Sequence, residues 1–235
     1  MNGIEKAIEF ALMAHEGALR KGTGLPYILH PLEAAAIAAQ LTKDPDVIAA
    51  AILQDVLEDT SFTADDIRDR FGERVAELVI SCTENKRRNV SSPDSWNLRK
   101  RETIEHLKTA SCDEKIVAFA DKLSNLRSMV TDYMAEGESF WDRFNVRDPR
   151  RHVWYYTEMI CSFEEFGDTI AYREYLRLVR MLRMRVQEYE DFGRHDANSI
   201  EVIATPNSGY WVLRTKQSDN VLLMPDEELR KFIGE

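Results

Sequence analysis

Residues 43–68 read KDPDVIAAAILQDVLEDTSFTADDIR, and between Lys43 and Arg68 they hold seven carboxylates and no base. The carboxylates are Asp44, Asp46, Asp55, Glu58, Asp59, Asp65 and Asp66. Val47–Leu57 (VIAAAILQDVL) is apolar on most sides of a helical wheel, the pattern of a buried helix. Its polar residues gather at the C-terminal end: Gln54, Asp55, Glu58 and Asp59. At helical spacing Gln54 stacks on Glu58 and Asp55 on Asp59, which gives two adjacent rows of oxygen-bearing side chains. The helix dipole opposes negative charge at that end, and burial adds to the cost. A bound cation answers both. The competing reading is that the acids simply point into solvent where the helix stops, before Thr60 and Ser61.

Outward from this stretch the signals are mostly helical. Asp44 followed by Pro45 reads as an N-cap with Pro in the first turn, and Thr63 with Asp66 as a capping box. Pro31 suits a first helical position for a segment ending near Leu41. Upstream, Ile4, Ala7, Ile8, Ala11, Leu12 and Ala14 follow helical spacing until Gly22, Gly24 and Pro26 break it. Downstream, ENKRRNVSSPDSWN (Glu84–Asn97) reads as a long polar loop. A helix is expected over Arg99–Thr109, then a long one capped by Asp113 and carrying Ile116, Ala120, Leu123 and Leu126. Further helices fit Pro149–Phe166 and Thr169–Glu190. After about Arg194 the period shortens. Ser199–Ala204 and Tyr210–Thr215 read as a hairpin around Pro206-Asn207-Ser208-Gly209, with Val221–Met224 as a third strand and Pro225–Ile233 as a short terminal helix. The expectation is a mainly α protein: a helical bundle over 1–194 and a small C-terminal α+β appendage over 195–235, with a homo-oligomer left open.

The chain has 235 residues, 44% of them hydrophobic, which suits one main domain with a sizeable core. Its net charge of −10 argues against a broad nucleic-acid surface. Met1–Lys21 lacks the apolar run of a signal peptide and no stretch is long enough to span a bilayer, so no membrane partner and a cytoplasmic location are expected. The three cysteines, Cys82, Cys112 and Cys161, are far apart and read as buried free thiols.

Three segments, Tyr27-Ile28-Leu29-His30-Pro31, Gln54-Asp55-Val56-Leu57-Glu58-Asp59-Thr60 and Ala120-Asp121-Lys122-Leu123-Ser124-Asn125-Leu126-Arg127, together resemble the HD-domain hydrolases of the RelA/SpoT homologue family. The likeness covers residues 7 to about 130, with Phe71-Gly72 and Trp154-Tyr155-Tyr156 further on. The resemblance implies an HD-type helical domain that removes the 3′-pyrophosphate of the guanine alarmones ppGpp and pppGpp. The family holds one divalent metal, usually manganese, with a His, a His-Asp pair and an Asp. Carried over, the ligands are His30, Gln54, Asp55 and Asp121. Glu58 and Asp59 take the positions that orient or deprotonate the attacking water.

One position departs from the pattern: the His of the name-giving pair is Gln54, whose amide is a weaker donor than imidazole. Three readings stay open: a working enzyme with loosened metal binding, an inactive relative that still binds nucleotide, and a substitution introduced to trap a complex. An HD phosphohydrolase acting on another nucleotide is the enzymatic alternative. The resemblance also implies substrate contacts. Arg20 and Lys21 would pack on the purine and steer phosphate, and Asn125 would line the nucleoside pocket. By spacing, Ser128 falls on nearly the same helical face as Asn125; Arg127 serves phosphate or solvates its helix, and Lys86, in the basic run 85–89, belongs to a phosphate clamp or a solvated loop. With no room read for a synthetase domain, a small hydrolase-only member is expected.

Overall fold

The computed structural model describes residues 3–84, 92–186, 199–204, 210–216, 221–225 and 230. Ten α-helices and three strands are described in all. They fall into two compact units, one of Met1–Ser128 with Asp142–Asn145, the other of Met129–Trp141 with Val146–Glu235.

The first unit is built around α3 (Pro45–Leu53), in which every residue from Val47 to Leu53 is buried. Three helices pack on it: α1 (Gly3–Ala14), α2 (Leu29–Leu41) and α6 (Glu73–Cys82). The amphipathic α1 turns Ala7, Phe10 and Ala11 inward, and Phe10 meets Phe62 at 4.7 Å and Phe71 at 5.6 Å between ring centroids. Asp44 caps α3 as the sequence predicts, accepting from the Asp46 N–H at 2.9 Å. Thr63 and Asp66 form the expected capping box at the start of α5 (Ala64–Phe71). Gly72, at φ +88°, makes the tight corner between α5 and α6 that a side chain would strain.

The helix expected over Val47–Leu57 is interrupted. α3 stops at Leu53 and a single turn, α4 (Val56–Asp59), resumes after Gln54 and Asp55. Those two side chains are drawn to partners on other helices, and the backbone leaves regular helix where they turn. Between α1 and α2 the chain makes a narrow hairpin, with Leu19 bridged to Pro26 and the Arg20 N–H bonded to the Leu25 carbonyl at 2.8 Å. Gly22 there has φ +91°, and a Cβ on it would run into the Arg143 guanidinium.

Two expectations downstream need correction. The helix expected from Arg99 begins at Ser92 (α7, Ser92–Thr109), because Ser92-Pro93 is a helix start rather than loop. The long α8 (Cys112–Glu136) is capped by Ser111 rather than Asp113. Ser111 Oγ accepts from the Glu114 N–H at 3.3 Å and the Ser111 N–H donates to Glu114 Oε2 at 2.8 Å, a reciprocal capping box.

The second unit holds the end of α8, α9 (Pro149–Ser162) and α10 (Ile170–Arg185), shorter than the reading to Glu190. It also holds an antiparallel sheet in the order β1 (Ile200–Ala204), β2 (Tyr210–Thr215), β3 (Val221–Pro225). Register runs Ile200 to Thr215 and Val212 to Leu223, with an irregularity between Val202 and Ala204. All three expected strands form. The sheet groups with α9, where Arg214 of β2 binds Glu158 at 2.5 Å, so the division between compact units does not fall at 194. The expected terminal helix over 225–233 lies outside the described residues apart from its first residue and Arg230. Cys82 and Cys161 are half-buried, whereas Cys112 is exposed in the first turn of α8, contrary to the reading of three buried thiols. Among the described residues no helix is long and apolar enough to cross a membrane.

Candidate metal centre and its cavity

Three elements of the first unit bring His30, Asp55 and Asp121 together. His30 sits in the first turn of α2, Asp55 at the break after α3, and Asp121 midway along α8. One ligand atom from each lies within 4.8 Å of the others. His30 Nε2 is 3.1 Å from Asp121 Oδ1 and 3.4 Å from Asp55 Oδ2, with only 3% of the residue exposed. Gln54 is also buried, its Nε2 3.4 Å from His30 Nε2.

Charge is concentrated here. Burial lowers the His30 pKa, but its hydrogen bonds to Asp121 and Asp55, and their charges, outweigh that and raise it to about 9. Asp121 is pushed up by burial, yet the Lys122 ammonium and His30 hold it well below the usual carboxylate range. Lys122 Nζ binds Asp121 Oδ2, and Asn125 Nδ2 donates to Oδ1. Tyr27 donates its hydroxyl to Asp55 Oδ2 at 2.8 Å and lies 3.4 Å from Asp59 Oδ2. Burial first, and then the Asp55 charge and hydrogen bond, keep that phenol protonated.

The far side of His30 is held as well. Its Nδ1 is 2.8 Å from Ser124 Oγ, which donates to Glu33 Oε2 at 2.6 Å, and Arg127 donates to Glu33 Oε1 at 3.0 Å.

The centre opens into a cavity of about 380 Å³, within the range of small-molecule sites. Tyr27, Glu58, Asp59 and Asn125 line it beside the ligands, and Glu84, Arg99, Lys100 and Thr103 line the side formed by the end of α6 and by α7. Glu84 pairs with Arg99 at 2.8 Å and Lys100 at 2.7 Å. Burial raises its carboxyl, but Lys100 and Lys122 more than offset that, and its pKa is lowered. Acidic side chains outnumber lysine and arginine in the walls, so a polyanion needs a further cation to enter.

The residues present fit a divalent cation. The donor set is one imidazole and two carboxylates, and Gln54 Oε1 is buried with no hydrogen-bond partner. Turning that amide over would put the oxygen where Nε2 now lies, beside His30, and leave the amide NH2 in the unpartnered position.

A family model described as HD domain matches residues 7–147, more than half of the chain. The chain belongs to the HD-domain family. The HD domain of this chain is similar to an Aquifex aeolicus protein named guanosine-3′,5′-bis(diphosphate) 3′-pyrophosphohydrolase, at 40% identity over 128 residues, 54% of this chain and 18% of that protein. The Danio rerio protein of the same name, MESH1, is 37% identical over 128 residues, 53% of this chain and 67% of that one. Among solved structures, one described as a metazoan ortholog of SpoT that hydrolyzes ppGpp superposes with a TM-score of 0.61 at 25% identity, covering 79% of this chain and 96% of that chain. The chain spans about a fifth of the length of the bacterial relatives it matches first.

Of the residues read from sequence, His30, Gln54, Asp55 and Asp121 converge, and Glu58, Asp59 and Asn125 line the HD-domain cavity. Arg20 is half-buried, its guanidinium 5.8 Å from the Tyr27 ring centroid and donating to Ser128 Oγ at 3.1 Å. Ser128 is therefore occupied by Arg20, and Arg127 by Glu33. Lys21 is exposed on the hairpin. Lys86 lies outside the described residues. His152 of α9 is bonded to the Val146 carbonyl at 2.8 Å, in the second unit.

Sequence reasoning assigned no role to Tyr27, Glu33, Ser124, Glu84, Arg99 or Lys100. The first three had a signal. Glu33 lies three residues beyond His30 and Ser124 three beyond Asp121, each on its ligand's helical face, while Tyr27 lies three before His30, in the turn that leads into α2.

Proposed function

We propose that the chain is a metal-dependent hydrolase that removes the 3′-pyrophosphate of ppGpp and pppGpp. One water is consumed, divided between the nucleoside 3′-hydroxyl and the released pyrophosphate, and the other product is GDP or GTP. The observation that carries this reading is the convergence of His30, Asp55 and Asp121 beside the carboxylates Glu58 and Asp59 in one acidic cavity. The names of the relatives supply the substrate class.

His30, Asp55 and Asp121 would hold the ion, with Gln54 as a fourth, neutral donor. Manganese suits a set rich in oxygen with a single imidazole. When bound, a divalent cation neutralises phosphoryl charge and makes a nearby water more acidic.

The chain's own residues do the rest. Glu58 and Asp59 face the cavity and would orient the attacking water and take its proton. Tyr27, kept protonated, donates to Asp55 and fixes that carboxylate in place. Asn125 holds Asp121 from one turn along α8 and offers its carbonyl oxygen to the nucleoside. Arg20, with Lys21 beside it on the hairpin, presents a planar cation on which a purine stacks. Lys122, Arg99 and Lys100 supply the cationic side of the cavity for phosphate.

The Gln54 amide favours a second reading, a nucleotide-binding HD domain without turnover. Incubating the protein with ppGpp and Mn²⁺ and measuring pyrophosphate release decides between them. Release that stops with a chelator supports the hydrolase. Binding of ppGpp without release, in both the parent and the Gln54→His variant, supports the binding module; absence of binding overturns the substrate assignment.

A further inference from the structure

We propose that Ser124 and Glu33 are positioning residues for His30, a relay that keeps a proton on Nδ1 and turns Nε2 toward the cation. The inference rests on the reading of His30 as a metal ligand.

The direction of the relay follows from counting protons. Ser124 is fully buried, so its hydroxyl finds partners only in the protein. Two are within reach, Glu33 Oε2 at 2.6 Å and His30 Nδ1 at 2.8 Å. A hydroxyl has one proton to give. Glu33, ion-paired through its other oxygen to Arg127 at 3.0 Å, has only acceptors to offer, so it takes that proton. Ser124 Oγ must then accept from His30, which places N–H at Nδ1. On the opposite edge, Nε2 faces Asp121 Oδ1 and Asp55 Oδ2. The ring is thus set in orientation and tautomer for coordination through Nε2, the usual division of labour in a metal-bound histidine.

The relay is made from the helices that carry the ligands. Glu33 is one turn beyond His30 on α2, while Ser124 and Arg127 follow Asp121 on α8. The same packing of α2 against α8 therefore sets ligand and support together. With an amide at position 54, His30 is the one strong nitrogen donor in the set, and its orientation matters correspondingly more.

The test is the Mn²⁺ dissociation constant of the full chain by calorimetry, with thermal melting as a folding control and Asp121→Ala marking the site. Ser124→Ala and Glu33→Ala are expected to weaken binding roughly tenfold or more while melting close to the parent. Glu33→Gln keeps an oxygen that accepts from Ser124, and is expected to stay within about threefold of the parent. Parent-like affinity in Ser124→Ala and Glu33→Ala would overturn the relay and leave the ligand reading intact. Glu33→Gln as weak as Glu33→Ala would also overturn it, by showing that charge rather than proton direction matters. A parent that binds no Mn²⁺, or binds it equally as Asp121→Ala, would instead defeat the ligand reading, and the relay with it.

Discussion

The two ends of α3 each gather carboxylates, and only one end builds a candidate site. At the N-terminal end Asp44, Asp46 and Asp113 converge on Arg74 at 2.8, 3.5 and 2.7 Å, with the Arg74 side chain 48% exposed. The dipole favours acids there, and solvent screens each pair. At the C-terminal end Asp55 and Asp121 converge on buried His30, where dipole and burial both oppose the acids. The cations differ in kind. A guanidinium cannot give up its proton, so the first cluster is permanently filled. An imidazolium can release one proton and coordinate, so the second cluster can exchange its cation for a metal. Convergence on a buried, exchangeable cation, rather than the number of acids, distinguishes the site.

Removing one acid from each cluster should break the comparison most sharply. Asp121→Ala should lower Mn²⁺ affinity by roughly a hundredfold or more and abolish pyrophosphate release, with an unchanged circular dichroism spectrum. Asp113→Ala should leave both binding and turnover intact.

The clusters should also respond to pH in opposite senses in the metal-free protein. The His30 pKa is raised from 6.5 to about 9, so its contribution to stability is complete below about pH 6.5 and disappears as pH rises through about 9. That contribution is on the order of 3 kcal/mol. Asp44 is lowered, chiefly by its hydrogen bond to Arg74, so its contribution is present above its ordinary value of 3.8 and lost as pH falls. Urea denaturation of chelator-treated protein at pH 6 and pH 10 checks the first. The alkaline loss should be absent in His30→Ala.

Gln54→His should tighten Mn²⁺ binding roughly tenfold, read by the same calorimetry, because imidazole replaces a neutral amide. An unchanged constant would mean that position 54 does not face the ion. The smallest effects belong to the exposed cluster. Asp44→Ala should destabilise by about 1 kcal/mol through loss of the α3 cap, and Arg74→Ala by less than about 1 kcal/mol, neither altering Mn²⁺ affinity.

Much of this was legible in the chain. The apolar run at Val47–Leu53 announced a buried helix, and Asp44-Pro45 and Thr63-Asp66 marked helix starts because capping is a local interaction. What escaped was set by partners distant in sequence. The carboxylates between Lys43 and Arg68 looked like one cluster, but the fold sends Asp44 and Asp46 to Arg74, Asp65 to Arg68 and Asp66 to the Thr63 cap. Of those on the α3–α4 side, Asp55 joins the centre, while Glu58 and Asp59 line its cavity. Periodicity could not show the break at Gln54 and Asp55, since His30, which both side chains approach, comes from α2. Arg127 reads as a phosphate ligand until Glu33, 94 positions earlier, is seen beside it. Arg99 and Lys100 fall in a helix as expected, but their place in the cavity wall follows from Glu84, 15 and 16 positions earlier, which pairs with both.

The most direct test of the shared ion is anomalous diffraction from crystals soaked in Mn²⁺, collected near the manganese edge. The expected result is one strong peak within bonding distance of His30 Nε2 and of a carboxylate oxygen from each of Asp55 and Asp121. A peak bound elsewhere, or none at full soak, with those three side chains still paired to one another, would contradict it.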